Sequence, residues 1–228
     1  AATERNRRTL RDEGVHDESI IVTGNPVVDA LREIREIAEP SAALRAILKA
    51  TEGCRRIVLT THRRESFGQA LTANLQVIGR FIRDHPETSL IFPVHPNPVV
   101  RAQAQEVLGG SDRVHLIAPL DYADFITLLS HAWLIVTDSG GIQEEAPTLG
   151  KPLIVLREST ERPEAVEAGV ARLTWGDPVT LKRLLEEATA GSHWMEQVRA
   201  AANPFGQGDS GPRIARAITR ALGMSDDS

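Results

Sequence analysis

The segment of residues 134–145 joins an apolar run to Ser-Gly-Gly and then to the acidic start of a helical pattern. The apolar run predicts a strand, and Ser139 is a residue type that can cap the helix after it. Gly140 and Gly141 carry no Cβ, so a ligand can approach backbone N–H groups that have no partner inside the helix. A helix N-terminus favours an anion by about 0.3–1 kcal/mol. The segment therefore fits a diphosphate, provided that cations elsewhere assist it.

Glu145 lies one helical turn beyond Gly141, where its carboxylate can accept hydrogen bonds from sugar hydroxyls. A diphosphate together with a ribose indicates a nucleotide. The same residues are equally consistent with a tight strand-to-helix turn that binds nothing, in which Glu144 and Glu145 stabilise the first helical turn. The sequence contains no P-loop motif and no glycine-rich dinucleotide fingerprint after a strand, which argues against an ATPase or a dehydrogenase.

A cationic segment made of His62, Arg63, Arg64 and Glu65 follows a predicted strand at residues 56–61. Guanidinium groups match phosphate oxygens in a bidentate way, and His62 can donate a hydrogen bond or carry a proton near neutral pH. The alternative is a solvated loop in which Glu65 pairs with an arginine. We weigh the two interpretations evenly, because parallel α/β folds bind ligands at the carboxyl ends of their strands.

Three further strand ends carry candidate residues. His95 follows the strand at 89–94 in a turn fixed by two prolines, and it either meets a ligand or only begins the next helix. Leu120 and Phe125 follow the next strand, and the ring of Phe125 either stacks on a base or lies in the core, which is its commoner place. Arg162 precedes a proline-started helix, where it either binds phosphate or forms a surface ion pair.

Short apolar segments alternate with helical patterns along the chain. Strands are predicted at 20–23, 56–61, 89–94, 114–117, 133–137, 153–156 and 170–173. Helices are predicted between them at 27–38, 42–50, 69–84, 98–108, 122–131, 141–149 and 164–168. Strands joined by helices indicate right-handed crossovers and a parallel sheet that is covered on both faces. We therefore predict an α/β fold with a doubly wound parallel sheet of the Rossmann type.

The two ends of the chain differ from this pattern. The chain begins at Ala1 rather than at a methionine, and residues 3–14 predict a charged helix already under way, so we expect a piece of a longer protein. After Pro178 only helices are predicted, at 179–189, 193–202 and 212–222. We therefore divide the chain into a Rossmann-like domain at 1–178 and helices at 179–228 that can cross to another domain.

Composition narrows the class of protein. The chain is 41% apolar and 25% charged, and no apolar run is long enough to cross a bilayer, so we expect a soluble globular protein without a membrane partner. The net charge of −5 and the dispersed arginines argue against a nucleic-acid partner. The single cysteine, Cys54, excludes an internal disulfide and fits a reducing compartment. The histidines show no metal-ligand spacing, so no metal site is predicted.

Five segments, in order along the chain, carry a resemblance to a known family. They are Thr-Gly-Asn-Pro at 23–26, Thr-His-Arg-Arg-Glu at 61–65, Val-His-Pro-Asn-Pro at 94–98, Thr-Asp-Ser-Gly-Gly-Ile-Gln-Glu-Glu at 137–145 and Thr-Glu-Arg-Pro-Glu at 160–164. With these segments the chain resembles the C-terminal domain and a flanking helix of the non-hydrolysing UDP-N-acetylglucosamine (UDP-GlcNAc) 2-epimerases, which have the two-domain GT-B fold. The resemblance covers nearly the whole chain.

The resemblance implies a UDP site built from candidates already named. The start of the predicted helix at Ser139, Gly140 and Gly141 would hold the diphosphate together with Arg162. Glu145 would hold the ribose hydroxyls. The uracil would lie against Leu120, through its backbone, and Phe125.

The resemblance also implies a reaction. The family removes the C2 proton of UDP-GlcNAc, eliminates UDP from C1 and re-adds it with C2 inverted, which gives UDP-N-acetylmannosamine and requires no cofactor. His62 would be catalytic, beside the reacting sugar and the diphosphate, while Arg63 and His95 would contact a second, activating UDP-GlcNAc molecule. The general base and acid would belong to an N-terminal domain.

Further implications of the resemblance are a homodimer and a cytoplasmic location, with the product serving bacterial surface polysaccharides. Three other functions stay open from the sequence. They are a GT-B glycosyltransferase that uses a UDP-sugar, a hydrolysing 2-epimerase that releases free N-acetylmannosamine, and a UDP-binding module without catalysis.

Overall fold

The structure, a computed structural model, describes residues 1–62, 68–191 and 193–223. Its strands are β1 (Arg55–Thr60), β2 (Thr88–Pro93), β3 (Val114–Ile117), β4 (Leu134–Thr137), β5 (Leu153–Val155) and β6 (Ala171–Leu173). They form one parallel sheet in the order β3-β2-β1-β4-β5-β6. Helices connect successive strands and cover both faces, so the prediction of a doubly wound parallel α/β fold is confirmed.

The predicted helices are present in the described residues, with small shifts at their ends. They are α1 (Glu4–Asp12), α2 (Pro26–Ile37), α3 (Ala42–Ala50), α4 (Gln69–Asp84), α5 (Pro98–Leu108), α6 (Tyr122–Ser130), α7 (Gly140–Leu149), α8 (Pro163–Glu167), α9 (Pro178–Ala190), α10 (His193–Ala200) and α11 (Ser210–Ala221). Three helices begin in the same way: the side chain of Asn25, Asn97 or Asp177 accepts a backbone N–H two residues on, and proline occupies the first helical position.

Side chains along each strand alternate between two hydrophobic cores, one on each face of the sheet. In β1, Ile57 and Leu59 enter the core that α4, α5 and α9 cover, whereas Val58 enters the core that α2, α6 and α7 cover. All three side chains are fully buried. Because both faces are covered, the strand reads as a continuous apolar run instead of an alternating pattern.

The strand predicted at residues 20–23 does not form, and this segment lies outside the sheet. The N-terminal amine of Ala1 donates to the carbonyl of Ile21 at 2.8 Å, and the N–H of Thr23 donates to the carbonyl of Ala1 at 2.9 Å. The segment therefore satisfies backbone groups against the start of the chain. A short apolar run looks the same in sequence whether its backbone pairs within a sheet or with an irregular segment.

The last three helices pack on the same domain. Leu181 and Leu185 of α9 and Trp194 of α10 are buried in the core on the α4 face. Helix α11 lies against α2. The division of the chain at residue 178, and a contact of these helices with another domain, stay predictions.

The start of α11 is bound to the start of α2. The carboxylate of Asp29 accepts the backbone N–H of Ser210 at 3.2 Å and of Gly211 at 2.9 Å. Ser210 is fully buried, and Gly24, with φ of +84°, lies so close that a Cβ there would be 2.6 Å from the Ser210 hydroxyl oxygen. A glycine at position 24 is therefore required by both conformation and space.

Candidate functional site

The direction in which strands are added to the sheet reverses between the neighbouring strands β1 and β4. A cavity of about 380 Å³ lies at the carboxyl ends of the strands at this reversal. Ligands of open α/β sheets bind at such a place, because the loops after the two strands diverge and leave a crevice. The loops after β1, β2, β3 and β4 contribute His62, His95, Leu120 and Ser139 to the cavity wall. Candidates from four separate strand ends therefore share one cavity.

Helix α7 begins at the wall of this cavity. Ser139 occupies its N-cap position, but the Ser139 side chain makes no capping hydrogen bond to any described residue, in contrast to the expected role. Its backbone N–H instead donates to the hydroxyl of Thr137 at 3.0 Å. The first-turn N–H groups, which have no partner inside a helix, are thus left without a serine cap and suit an anion.

Gly140 and Gly141 leave the space above this helix start open. Among the described residues, a Cβ built on Gly140 meets no atom within 4 Å, and one built on Gly141 meets only the Ser139 hydroxyl oxygen, at 3.8 Å. Neither residue has a positive φ. Neither backbone conformation nor packing against the described residues therefore requires glycine at these positions, and the absence of side chains leaves the helix start accessible to a ligand.

Side chains at the ends of β1 and β4 hold the two strands together. Thr60 and Thr137 are paired in register, and their hydroxyl oxygens lie 2.6 Å apart. The next residue, Asp138, is fully buried, and its two carboxylate oxygens accept the backbone N–H of His62 at 3.1 and 3.2 Å. One of these oxygens also lies 2.9 Å from Nδ1 of the His62 ring. The ring that borders the cavity is thus held by a carboxylate from the neighbouring strand.

Glu145 borders the cavity from the second turn of α7 and is only 8% exposed. Burial raises the pKa of Glu145, a hydrogen bond from the Tyr122 hydroxyl at 2.9 Å lowers it, and the charge of Glu144 raises it. The net pKa is above the ordinary value. The pKa of Tyr122 is raised well beyond its usual range, first by burial and then by the charge and hydrogen bond of Glu145. Glu145 is therefore a desolvated acceptor aimed at the cavity.

Phe125 and Leu120 form an apolar part of the wall. Both are half-buried, and both also pack against the core on the α2 face. Phe125 thus packs against the core and also borders the cavity, and its stacking on a base stays a prediction. A flat ring beside an open cavity suits stacking with a base.

Arg162 lies outside the wall of the main cavity. Its Nε donates to the carboxylate of Glu144, and the same carboxylate accepts a hydrogen bond from the Asn25 side chain at 3.0 Å. Arg162 and Glu144 border a smaller cavity of about 150 Å³ next to α7. The hydroxyl of Thr160 accepts the backbone N–H of Arg162 at 3.0 Å and donates to Gln143 of α7. The Arg162 loop is therefore fixed to the helix that provides the proposed anion site.

The described residues contain neither a metal-binding cluster nor a membrane-spanning helix. In residues 1–62, 68–191 and 193–223, no three His, Cys, Asp or Glu side chains are grouped so that they could hold a metal ion. No helix within the same residues is long and apolar enough to cross a membrane.

A family model described as UDP-N-acetylglucosamine 2-epimerase matches residues 1–219. The chain belongs to this family. The resemblance found in the sequence is thereby confirmed.

Individual 2-epimerases agree with this assignment. The chain is 45% identical over 226 residues to a protein named probable UDP-N-acetylglucosamine 2-epimerase from Ralstonia nicotianae, across 96% of this chain and 60% of that protein. The S. aureus MnaA structure with UDP superposes with a TM-score of 0.92 at 35% identity, across 100% of this chain and 61% of that one. The Neisseria meningitidis UDP-GlcNAc 2-epimerase bound to UDP-GlcNAc gives a TM-score of 0.85 at 35% identity, across 96% of this chain and 60% of that one.

The chain spans about 60% of the length of these relatives. Within this 2-epimerase domain, the described structure places six of the predicted site residues on one cavity together with His95. The six are His62, Leu120, Phe125, Ser139, Gly141 and Glu145. Gly140 lies between two of them at the start of α7, and Arg162 borders the smaller cavity together with Glu144 of that helix. Arg63 lies outside the described residues.

The sequence did not predict Asp138, Tyr122 or Glu144 as site residues, although each contacts a predicted site residue. Asp138 had a usable signal, because a carboxylate directly after an apolar strand lies at the ligand-binding edge of a parallel sheet. Tyr122 and Glu144 had none, because their contacts depend on how α6, α7 and the loop before α8 pack together.

Proposed function

We propose that this chain binds UDP-GlcNAc in the cavity at the β1/β4 reversal and takes part in its epimerisation at C2 to UDP-N-acetylmannosamine. The observation that carries the proposal is the start of α7, where a helix N-terminus without a serine cap and two glycines facing open space adjoin His62 and Glu145. Membership of the 2-epimerase family and the UDP and UDP-GlcNAc bound to similar proteins support it.

UDP would extend along the cavity wall from Phe125 to the start of α7. Its diphosphate would accept hydrogen bonds from backbone N–H groups at Ser139, Gly140 and Gly141, where the two glycines add no side chain and the described residues leave the space open. The ribose hydroxyls would donate to Glu145. The uracil would stack on Phe125 and hydrogen-bond to the backbone of Leu120, which borders the same part of the cavity.

The reaction would proceed by elimination and re-addition. A general base removes the C2 proton, the C2–H electron pair forms a C1–C2 double bond, and the C1–O bond breaks with its electron pair leaving on UDP. Re-addition of UDP to C1, with a proton delivered to the opposite face of C2, then gives the manno epimer. The resemblance assigns the base and the acid to an N-terminal domain, so this chain would contribute the leaving-group half of the site.

Negative charge develops on the departing diphosphate, and donors aimed at it stabilise the transition state more than the substrate. His62, which borders the cavity, and the N–H groups at the start of α7 would take this role. Arg162 would add a cation from behind the helix start, with its Nε bound to Glu144.

The resemblance extends the proposal to the whole protein. The complete enzyme would be a cytoplasmic homodimer whose product is consumed in surface-polysaccharide synthesis. A second UDP-GlcNAc molecule would contact His95, which borders the same cavity as His62, together with Arg63.

A Gly140→Ala variant tests the proposed diphosphate position. The new Cβ meets open space in the free protein, so thermal stability should be unchanged, whereas UDP affinity measured by calorimetry should fall at least about tenfold because the methyl group occupies the phosphate position. Uridine binding should be unaffected. Gly191→Ala, whose Cβ meets only the His193 nitrogen at 3.9 Å, is the matched control. Normal UDP affinity in Gly140→Ala would refute the placement.

A further inference from the structure

The buried carboxylate of Asp138 reaches a ring that is largely outside the core. Asp138 is 0% exposed, whereas the His62 side chain is 52% exposed, and the two meet at 2.9 Å through Nδ1. Both carboxylate oxygens also accept the His62 backbone N–H. One side chain from the end of β4 therefore fixes both the backbone and the imidazole of the residue that follows β1.

We propose that Asp138 is a positioning residue for His62, which it holds in the tautomer that carries a proton on Nδ1. The inference rests on the proposed function, because it gives His62 a defined direction in the epimerase site. An ionised carboxylate only accepts hydrogen bonds, so the ring nitrogen that faces it must be the donor. Nε2 is then the nitrogen presented to a ligand, as a lone pair when the ring is neutral and as an N–H donor when it is charged.

A purely structural role does not explain this arrangement. The ends of β1 and β4 are already held together by the hydroxyl pair of Thr60 and Thr137. A half-exposed imidazole can satisfy its nitrogens with water, and ordering it against a carboxylate costs side-chain entropy without burying apolar surface. Burying a carboxylate is itself unfavourable unless its hydrogen bonds compensate. The contact between Asp138 and His62 is explained if the imidazole ring must keep one direction.

The position of Asp138 in the chain links this histidine to the anion site. Asp138 is followed directly by Ser139, the N-cap of α7. The same short segment therefore orients Nε2 and begins the row of N–H groups proposed to hold the diphosphate. When the C1–O bond breaks and its electron pair leaves on the diphosphate, an Nε2–H of the charged ring would donate a hydrogen bond to the departing oxygen. Asp138 would keep this N–H directed at the departing oxygen throughout the reaction.

Asp138→Asn separates positioning from folding, because asparagine keeps the size and shape of the side chain. The His62 backbone N–H is a donor, so the amide oxygen of the asparagine side chain will accept its hydrogen bond. The amide NH₂ then faces Nδ1 and donates to it, which forces the neutral ring into the opposite tautomer. An analogous carboxylate-to-amide change behind a catalytic histidine has this effect in serine proteases.

The direct measurement is ¹H–¹⁵N correlation NMR of ¹⁵N-histidine-labelled full chain at about pH 9, where imidazole rings are neutral. His62→Gln assigns the signal. We expect wild-type His62 to show a protonated Nδ1 and Asp138→Asn to show a protonated Nε2. Asp124→Asn is the matched control, because Asp124 is another buried carboxylate that accepts a backbone N–H, from Ser41 at 2.8 Å, and it should leave the His62 signal unchanged. A wild-type ring protonated on Nε2 would overturn the proposal.

Kinetics of the complete enzyme give the second readout. Asp138→Asn should lower kcat by about 10²- to 10⁴-fold with little change in KM, because the neutral amide that faces Nδ1 no longer balances the positive charge of the ring as its Nε2–H donates to the departing oxygen in the transition state. UDP affinity should change by less than about threefold, which also shows that the variant is folded. An unchanged kcat despite an inverted tautomer would overturn the role of Asp138 in the reaction. A correct wild-type tautomer in a protein that does not epimerise would instead leave the positioning contact intact and refute the proposed function.

Discussion

The hydroxyl of Tyr122 donates a 2.9 Å hydrogen bond to Oε1 of Glu145 on the wall of the cavity. Glu145 is buried enough that its pKa is raised, so its ionised form is held there at a cost that hydrogen bonds reduce. Tyr122 supplies one such bond. In the proposed complex the ribose of UDP supplies others, so Glu145 is an acceptor prepared in advance for a diol.

This contact can be tested by titration of the phenol, since Tyr122 is the only tyrosine in the chain. Burial and the neighbouring Glu145 raise the pKa of Tyr122, so its phenolate absorbance should appear at a higher pH than in free tyrosine, with its pKa of about 10. In Glu145→Gln the phenol should ionise at a lower pH than in wild type, yet above free tyrosine because burial persists. Identical curves for the two proteins would show that the pair does not interact.

Glu145→Gln should also change protein stability and UDP affinity in opposite directions. The folded pKa of Glu145 lies above its unfolded value, so ionisation disfavours the folded state and stability is lost as pH rises between the two values. The variant should therefore be more stable than wild type near neutral pH, by about 0.5–2 kcal/mol, with no advantage below about pH 4. Chemical denaturation at several pH values measures the difference, with the exposed Glu106→Gln as control.

The same variant should bind UDP at least about tenfold more weakly, because it loses a hydrogen bond to a charged acceptor worth about 1.5–3 kcal/mol. The loss should be smaller for 2′-deoxy-UDP, which has one hydroxyl fewer to donate. Equal losses for both nucleotides would argue that Glu145 does not contact the ribose.

Arg162→Ala should weaken UDP binding by about 10- to 100-fold, because a charge-assisted contact to phosphate is removed. Uridine, which carries no phosphate, should bind both proteins equally in calorimetry. Arg172→Ala removes another partly exposed arginine that pairs with Glu187, and it is the control for a general loss of charge. If uridine and UDP lose affinity alike, Arg162 supports the fold of the site and does not contact the diphosphate.

Asp29 links pH to the docking of α11. Burial favours a higher pKa for Asp29, but hydrogen bonds from the N–H groups of Gly211 and Ser210 outweigh it and lower the pKa. Its contribution to stability is therefore present above the unfolded pKa of about 3.9 and is lost as pH falls through the folded pKa. Asp29→Asn should cost about 1 kcal/mol at pH 7 in urea denaturation, and the difference should vanish in acid. The exposed Asp112→Asn should show no such loss.

Much of this architecture is encoded locally. The paired signals of Asn25, Asn97 and Asp177 with their following prolines predict where three helices begin, and the apolar run before Ser139 predicts the strand that delivers the anion site. The segment at 20–23 was predicted wrongly, because its backbone pairs with Ala1 outside the sheet, and a periodic pattern does not show which segment a backbone pairs with.

The contacts of individual side chains could not be predicted from the sequence. The hydroxyl of Ser139 could have capped α7 but makes no capping hydrogen bond to a described residue, and the sequence did not indicate that Arg162, whose role at the phosphate stays a prediction, donates to Glu144. Both outcomes depend on which neighbouring groups compete for the same side chain. Such competition is decided by tertiary packing and leaves no periodic trace in the sequence.

Proton NMR of UDP-GlcNAc incubated in D₂O with the complete protein that contains this chain is the decisive test of the proposed epimerisation. We predict deuterium incorporation at C2 together with formation of UDP-N-acetylmannosamine, and no reaction in the His62→Ala variant. A protein that binds UDP but neither exchanges the C2 proton nor forms the epimer, or that releases free N-acetylmannosamine and UDP, would contradict the proposed epimerisation.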